Sequence, residues 1–189
     1  MSVQVSLAGE DAIAQLRTLL LDGGGLMATL VAPDAQSGND ASGELAASPA
    51  SIAAAGPRAA GRRDEYRLLV ETIYEGYLLH YGSPRVVLVP DADLRLLAGD
   101  RLYAIGLARL VQLGDTFAVA ELADMITLSA LAQGAGSEEL ADAVWDAGAR
   151  AVGWGTSELH RRAKELVLAG DSDGIEAMRT SALAATTAP

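Results

Sequence analysis

Between residues 91 and 136 apolar side chains recur at helical spacing, and the pattern predicts two helices joined by a break at Gly114-Asp115. In the first, Leu94, Leu97, Ala98, Leu102 and Ile105 form one face while Leu96, Tyr103, Leu107 and Leu110 cover much of the other. Such a helix is expected to be buried on most sides and central. In the second, Val119, Leu122, Ala123, Ile126 and Ala130 form a single stripe, with Glu121 and Asp124 expected to turn away. Gly114 suits a helix stop and Asp115 suits the next N-cap, so the two helices are expected to pack as an antiparallel hairpin.

The same periodicity predicts a short helix over 10–21, with Ile13, Leu16, Leu19 and Leu20 on one face, stopped by Gly23-Gly24-Gly25. That triple glycine follows a helix and no Lys-Ser/Thr succeeds it, so it reads as a stop and not as a phosphate loop. Residues 32–61 hold Ala, Ser, Gly, Pro and Asp with almost no large apolar side chain, and are expected to be a disordered linker. The N-terminal segment, 1–31, is therefore expected to be detached, docking in cis or on a partner.

A helix is predicted over 63–81 and is ended by Gly82-Ser83-Pro84. Residues 85–90, RVVLVP, form a β-like run without a visible partner strand and are expected to be an extended connector. Ser137 followed by Glu138 and Glu139 marks a helix start, and that helix is expected to run to about 169 with a bend at Gly153-Trp154-Gly155. A last helix is predicted over 172–183. The expected architecture is all-α, a bundle of about five helices over 62–184 followed by a polar tail at 185–189.

Composition narrows the function classes. Half of the 189 residues are apolar, chiefly Ala and Leu, which favours helix on helix. A formal net charge of -11, with 14 basic against 25 acidic residues, argues against binding nucleic acid or an anionic membrane. The absence of cysteine removes disulfides, thiolate nucleophiles and sulfur-ligated metals. No run is apolar enough to span a bilayer and the N-terminus lacks the basic start of a secretory signal, so a cytoplasmic protein is expected.

The segment LRLLAGDRLYAIGLARLVQLGD, residues 94–115, resembles the helix that follows the first aspartate motif in trans isoprenyl (polyprenyl) diphosphate synthases. The helix 63–80 is similar to the family helix that ends in a His before that motif, and Ser83-Pro84-Arg85-Val86 to the family's short loop with its Gly-x-Pro. DAGARAVG, residues 146–153, is similar to the approach to the second motif. The resemblance covers about 65–170 and implies part of the isoprenoid synthase fold. In that family two aspartate clusters hold Mg²⁺ around a diphosphate. Here Tyr81-Gly82 follows His80, and WGTSELHRR stands at 154–162, so neither cluster is present. The family's Lys-Thr between the two motifs also has no counterpart, since Ser137 follows Gly136.

The resemblance therefore implies a shortened, catalytically inactive relative in isoprenoid biosynthesis, with no catalytic, cofactor or metal residues assigned. Its expected role is regulatory or structural association with a catalytic polyprenyl diphosphate synthase, or a homodimer, through Leu97, Leu102, Tyr103, Leu107, Trp145 and Trp154. Two rivals are a helical adaptor unrelated to isoprenoids that recruits a partner through its N-terminal helix, and an enzyme with a rearranged metal site built on Glu71, Glu75 and a His. The i,i+4 pairs Glu71–Glu75 and Asp142–Asp146 suit a shared metal or proton as well as solvated carboxylates. Arg62, Arg63 and Arg67, with Arg58, are the one basic cluster and suit a diphosphate or an acidic partner.

Overall fold

A computed structural model describes residues 2–33 and 47–185, with the side chains of 2–11 and 185 outside the description. Among the described residues every regular element is helical: α1 (Ser2–Gly23), α2 (Gly25–Thr29), α3 (Pro49–Ala55), a 3-10 turn (Pro57–Ala59), α4 (Arg63–Tyr81), α5 (Ala92–Gln112), α6 (Thr116–Gly134), α7 (Glu138–Trp154), α8 (Glu158–Leu168) and α9 (Gly174–Ala185). These helices fall into two compact units, where a single domain over 62–184 was expected. One unit comprises Met1–Ser51 with Asp64–Arg109, the other Ile52–Arg63 with Leu110–Pro189.

In the first unit α1 is not detached. Its i,i+4 residues Leu16 and Leu20 are interior and share a cluster with Leu79 of α4, Val86, Val87, and Ala98 and Leu102 of α5. Full burial of a leucine contributes about 1.5–3 kcal/mol, so Leu16 and Leu20 are the main apolar anchors of α1 in this cluster. Ile13 and Leu19 pack at the edge of the same cluster. The idea of an N-terminal helix free to recruit a partner loses its basis here.

The 85–90 connector does find a backbone partner. Val31 pairs antiparallel with Val87 as an isolated bridge, Ala32 N–H donates to the Val86 carbonyl at 2.8 Å, and Leu88 N–H to the Leu30 carbonyl at 2.9 Å. Arg17 of α1 donates to the Ala32 carbonyl and fastens the other end of that short piece. The helices α4 and α5 approach through glycine. A Cβ on Gly99 would lie 2.4 Å from His80 Cδ2, and one on Gly106 would lie 2.4 Å from Ile73 Cγ1. Arg95 of α5 closes the end of α4, donating to the carbonyls of Leu79 at 2.5 Å and Gly82 at 2.8 Å.

In the second unit the central helix is α7. It packs on α6 and α9, and its interior face is built from Ala141, Val144, Trp145, Gly148, Val152 and Gly153 among other small residues. Heavy burial was expected on α5 instead, yet α5 leaves Leu96, Leu97 and Val111 exposed. The expected 91–136 hairpin is also not the organising element, since α5 through Arg109 belongs to the first unit and α6 to the second. Asp115 does cap α6, accepting from Ala118 N–H at 3.0 Å. The helix expected over 137–169 is broken in two at Gly155, whose φ of 99° lies in the left-handed region, and Ser157 restarts it as the cap of α8.

The disordered linker needs a partial correction. Residues 34–46 lie outside the described residues, as do 186–189 of the tail. Residues 49–59 are helical, with Ala50, Ala53, Ala54 and Ala59 buried. Small side chains gain burial by letting backbones touch: a Cβ on Gly153 of α7 would lie 2.6 Å from the Ala53 carbonyl oxygen. The composition argument counted large apolar side chains and missed this route to packing.

Candidate functional site

Two buried polar clusters stand out, one in each unit. In the first unit Glu71 and Glu75 lie on α4 with 1% and 0% exposure. Their i,i+4 spacing puts both carboxylates over Arg85, the one cation of the RVVLVP run. Arg85 Nη2 donates to Glu71 Oε1 at 2.5 Å and its Nε to Glu75 Oε2 at 3.3 Å. Glu75 Oε1 also accepts the backbone N–H groups of Arg85, Val86 and Val87 at 2.7, 2.6 and 3.2 Å. The carboxylate thereby stands in for the strand neighbour that these amides lack on that side. Burial pushes the Glu71 carboxyl above its ordinary range, against the opposing pull of Arg85. The guanidinium also lies 5.2 Å from the Tyr74 ring centroid.

The second cluster centres on Glu121 of α6. The sequence pattern turned it outward, whereas it is 5% exposed. Lys164 of α8 donates to both of its oxygens at 3.1 Å and reaches Asp124 Oδ2 at 2.7 Å. Thr156 donates its hydroxyl to Oε1, and His160 Nε2 lies 3.4 Å from Oε2. Burial alone would raise this carboxyl, but His160, Thr156 and Lys164 together hold it down at about 2. On its other side His160 Nδ1 is 3.2 Å from Ser181 Oγ, and that hydroxyl donates to the Met178 carbonyl at 2.8 Å. The resulting Ser–His–Glu line differs from a nucleophilic triad, because the serine proton is already given to a backbone carbonyl and the hydroxyl is buried in α9.

His80, in contrast, is in the first unit, stacked on Tyr103 with centroids 5.3 Å apart and with Nε2 3.2 Å from Asp100 Oδ1. Burial, aided by Tyr81, Asp100 and Tyr77, raises the Tyr103 hydroxyl well above its usual range. Neither histidine is among the hydrogen-bonded partners of Glu71 and Glu75; Arg85 occupies that place. Among the described residues no group of three or more His, Asp or Glu side chains is arranged to hold a metal ion.

The basic cluster disperses into internal contacts. Arg58 forks onto both Asp115 oxygens at 3.0 and 3.1 Å and lies 4.1 Å from the Phe117 ring centroid. Arg62 donates to the Leu113 carbonyl at 3.1 Å, and Arg67 pairs with Asp64 at 2.8 Å. Arg63 is exposed at the start of α4. Asp146 pairs with Arg150 at 3.4 Å, and Asp142 is pushed upward by burial and by Glu138. Of the expected interface positions, Leu102 and Trp145 are interior side chains, Tyr103, Leu107 and Trp154 are half-buried, and Leu97 is exposed. Lys164 and Arg85 escaped the sequence reading, although for Arg85 a lone cation following the i,i+4 acids Glu71 and Glu75 was the signal that could have found it. Comparison with known proteins finds no family model, characterised protein or solved structure that matches this chain.

Proposed function

We propose that this chain is a non-catalytic relative of the polyprenyl diphosphate synthases that acts by associating with a catalytic synthase. The resemblance at 63–86 and 94–115 motivates the family, and those residues form α4, the following loop and α5. The observation that carries the non-catalytic reading is the state of the carboxylates on α4, the helix that leads to the place of the family's first aspartate cluster. Glu71 and Glu75 are interior and already neutralised by Arg85 and three backbone amides. A Mg²⁺–diphosphate complex needs carboxylate oxygens that face the substrate, and these two are committed to the fold.

The test has two arms. The purified chain, incubated with Mg²⁺, isopentenyl diphosphate and allylic diphosphates of increasing length, is expected to release no pyrophosphate. Tagged chain expressed in its native host is expected to co-purify with a full-length polyprenyl synthase. Mg²⁺-dependent turnover by the pure chain would sink the non-catalytic reading, and co-purification without any prenyl synthase would sink the association.

A further inference from the structure

The first unit carries an apolar groove of about 410 Å³ between the α1–α2 turn and α5. Leu26, Met27 and Leu30 wall one side and Leu94, Leu97 and Ala98 the other, and the single charged side chain among its lining residues is Arg101. Leu97 and Arg101 are i,i+4 on α5, so the apolar wall and the guanidinium share one helix face. The opposite rim is backbone: Gly24 and Gly25 both have φ of 63°, and a Cβ on either would meet nothing within 4 Å. Leu26 and Leu97 are 60% and 64% exposed, which leaves a contiguous apolar surface for an occupant to cover.

We propose that this groove binds a single-chain fatty-acid-type carboxylate, with the chain along Leu26, Leu30, Leu94 and Leu97 and the head on Arg101. The proposal does not rest on the association with a prenyl synthase, although the two share Leu97, an expected position of that interface. Three observations select this occupant. The groove lies toward the small end of the roughly 300–1,000 Å³ typical of ligand pockets, which suits one chain. Arg101 has no hydrogen-bond or ion-pair partner among the described residues, in a chain whose net charge is -11, so an anionic head is the complement the groove lacks. One guanidinium fork matches the two oxygens of one carboxylate, whereas a diphosphate concentrates more charge than a single arginine offsets.

The full chain is titrated by calorimetry with octanoate, decanoate and dodecanoate below their micelle concentrations, and with decanol, decyl phosphate and phosphatidylcholine vesicles. Saturable binding of one carboxylate per chain is expected, tightening by about fourfold per added methylene until the groove is full. Arg101→Gln is expected to weaken decanoate by about fivefold while leaving decanol unchanged, because an exposed pair contributes modestly. Leu97→Glu is expected to weaken both. Both side chains are exposed, so unchanged far-UV circular dichroism and melting show that the variants fold.

Absent saturation, an equal effect of Arg101→Gln on decanoate and decanol, or tighter binding of decyl phosphate than of decanoate would each overturn the proposal. Vesicle binding that Leu97→Glu removes would assign the face to a membrane instead. A concentration-dependent dimer lost in the same variant, seen by sedimentation, would assign it to a second copy of the chain.

Discussion

Glu75→Ala offers the sharpest perturbation of the first unit. The side chain is fully buried and accepts four hydrogen bonds, three from backbone amides and one from Arg85 Nε. Val86 and Val87 are fully buried, so without the carboxylate their two N–H groups have no water to turn to. Each such orphaned donor costs about 1–3 kcal/mol, and the pair together with the weakened arginine contact gives roughly 3–5 kcal/mol. That is a large share of the 5–15 kcal/mol by which a domain of ordinary stability is held folded.

Glu75→Gln keeps one acceptor oxygen and is expected to cost about 1–2 kcal/mol. Glu71→Gln is expected to cost less than Glu75→Ala, because Glu71 accepts from Arg85 Nη2 and glutamine keeps an acceptor oxygen for that bond. Urea unfolding followed by circular dichroism measures the three differences, and hydrogen exchange at the Val86 and Val87 amides reports whether the 85–89 segment opens first. The reasoning fails if Glu75→Ala costs under about 1 kcal/mol, or if Glu71→Gln is as damaging as Glu75→Ala.

Leu16→Ala is expected to destabilise the first unit by about 2–5 kcal/mol and to make α1 sensitive to limited proteolysis; unchanged melting would mean that α1 does not dock in cis. Gly153→Ala drives a Cβ to 2.6 Å from the Ala53 carbonyl, backbone against backbone, and is expected to cost about 3 kcal/mol. At Gly148 the atoms nearest an added Cβ are those of the flexible Met125 side chain, and Gly148→Ala is expected to cost less by thermal denaturation; the reverse order would refute the close approach of residues 53–56 to α7. The folded-state value of Glu121, about 2 against an ordinary 4.5, means that its contribution of roughly 3 kcal/mol is present above pH 4.5 and is lost as pH falls toward 2. Glu121→Gln is expected to flatten that part of the acid-unfolding curve, and an unaltered curve would count against the Lys164–His160–Thr156 arrangement.

The sequence by itself determined the helical class and many helix limits, because periodicity and stop signals are local. Residues 63–81, the break at Gly114, the Asp115 and Ser137 caps and the stop at Gly170 all follow from residue types within a turn of the boundary. It misjudged what lies inside. Ala53 and Gly56 hold little apolar area of their own and pack because α7 presents the bare backbone of Gly153 to them. Glu71, Glu75 and Glu121 read as solvated acids until cations from distant positions, Arg85 and Lys164, are brought within hydrogen-bond reach. The 85–90 run looked unpartnered because three residues at 30–32 carry no β pattern, and only the docking of α1 sets their backbone beside it. Local propensity is written in neighbouring residues, whereas burial and charge pairing depend on which distant segments meet, so those parts were decided by the tertiary structure alone.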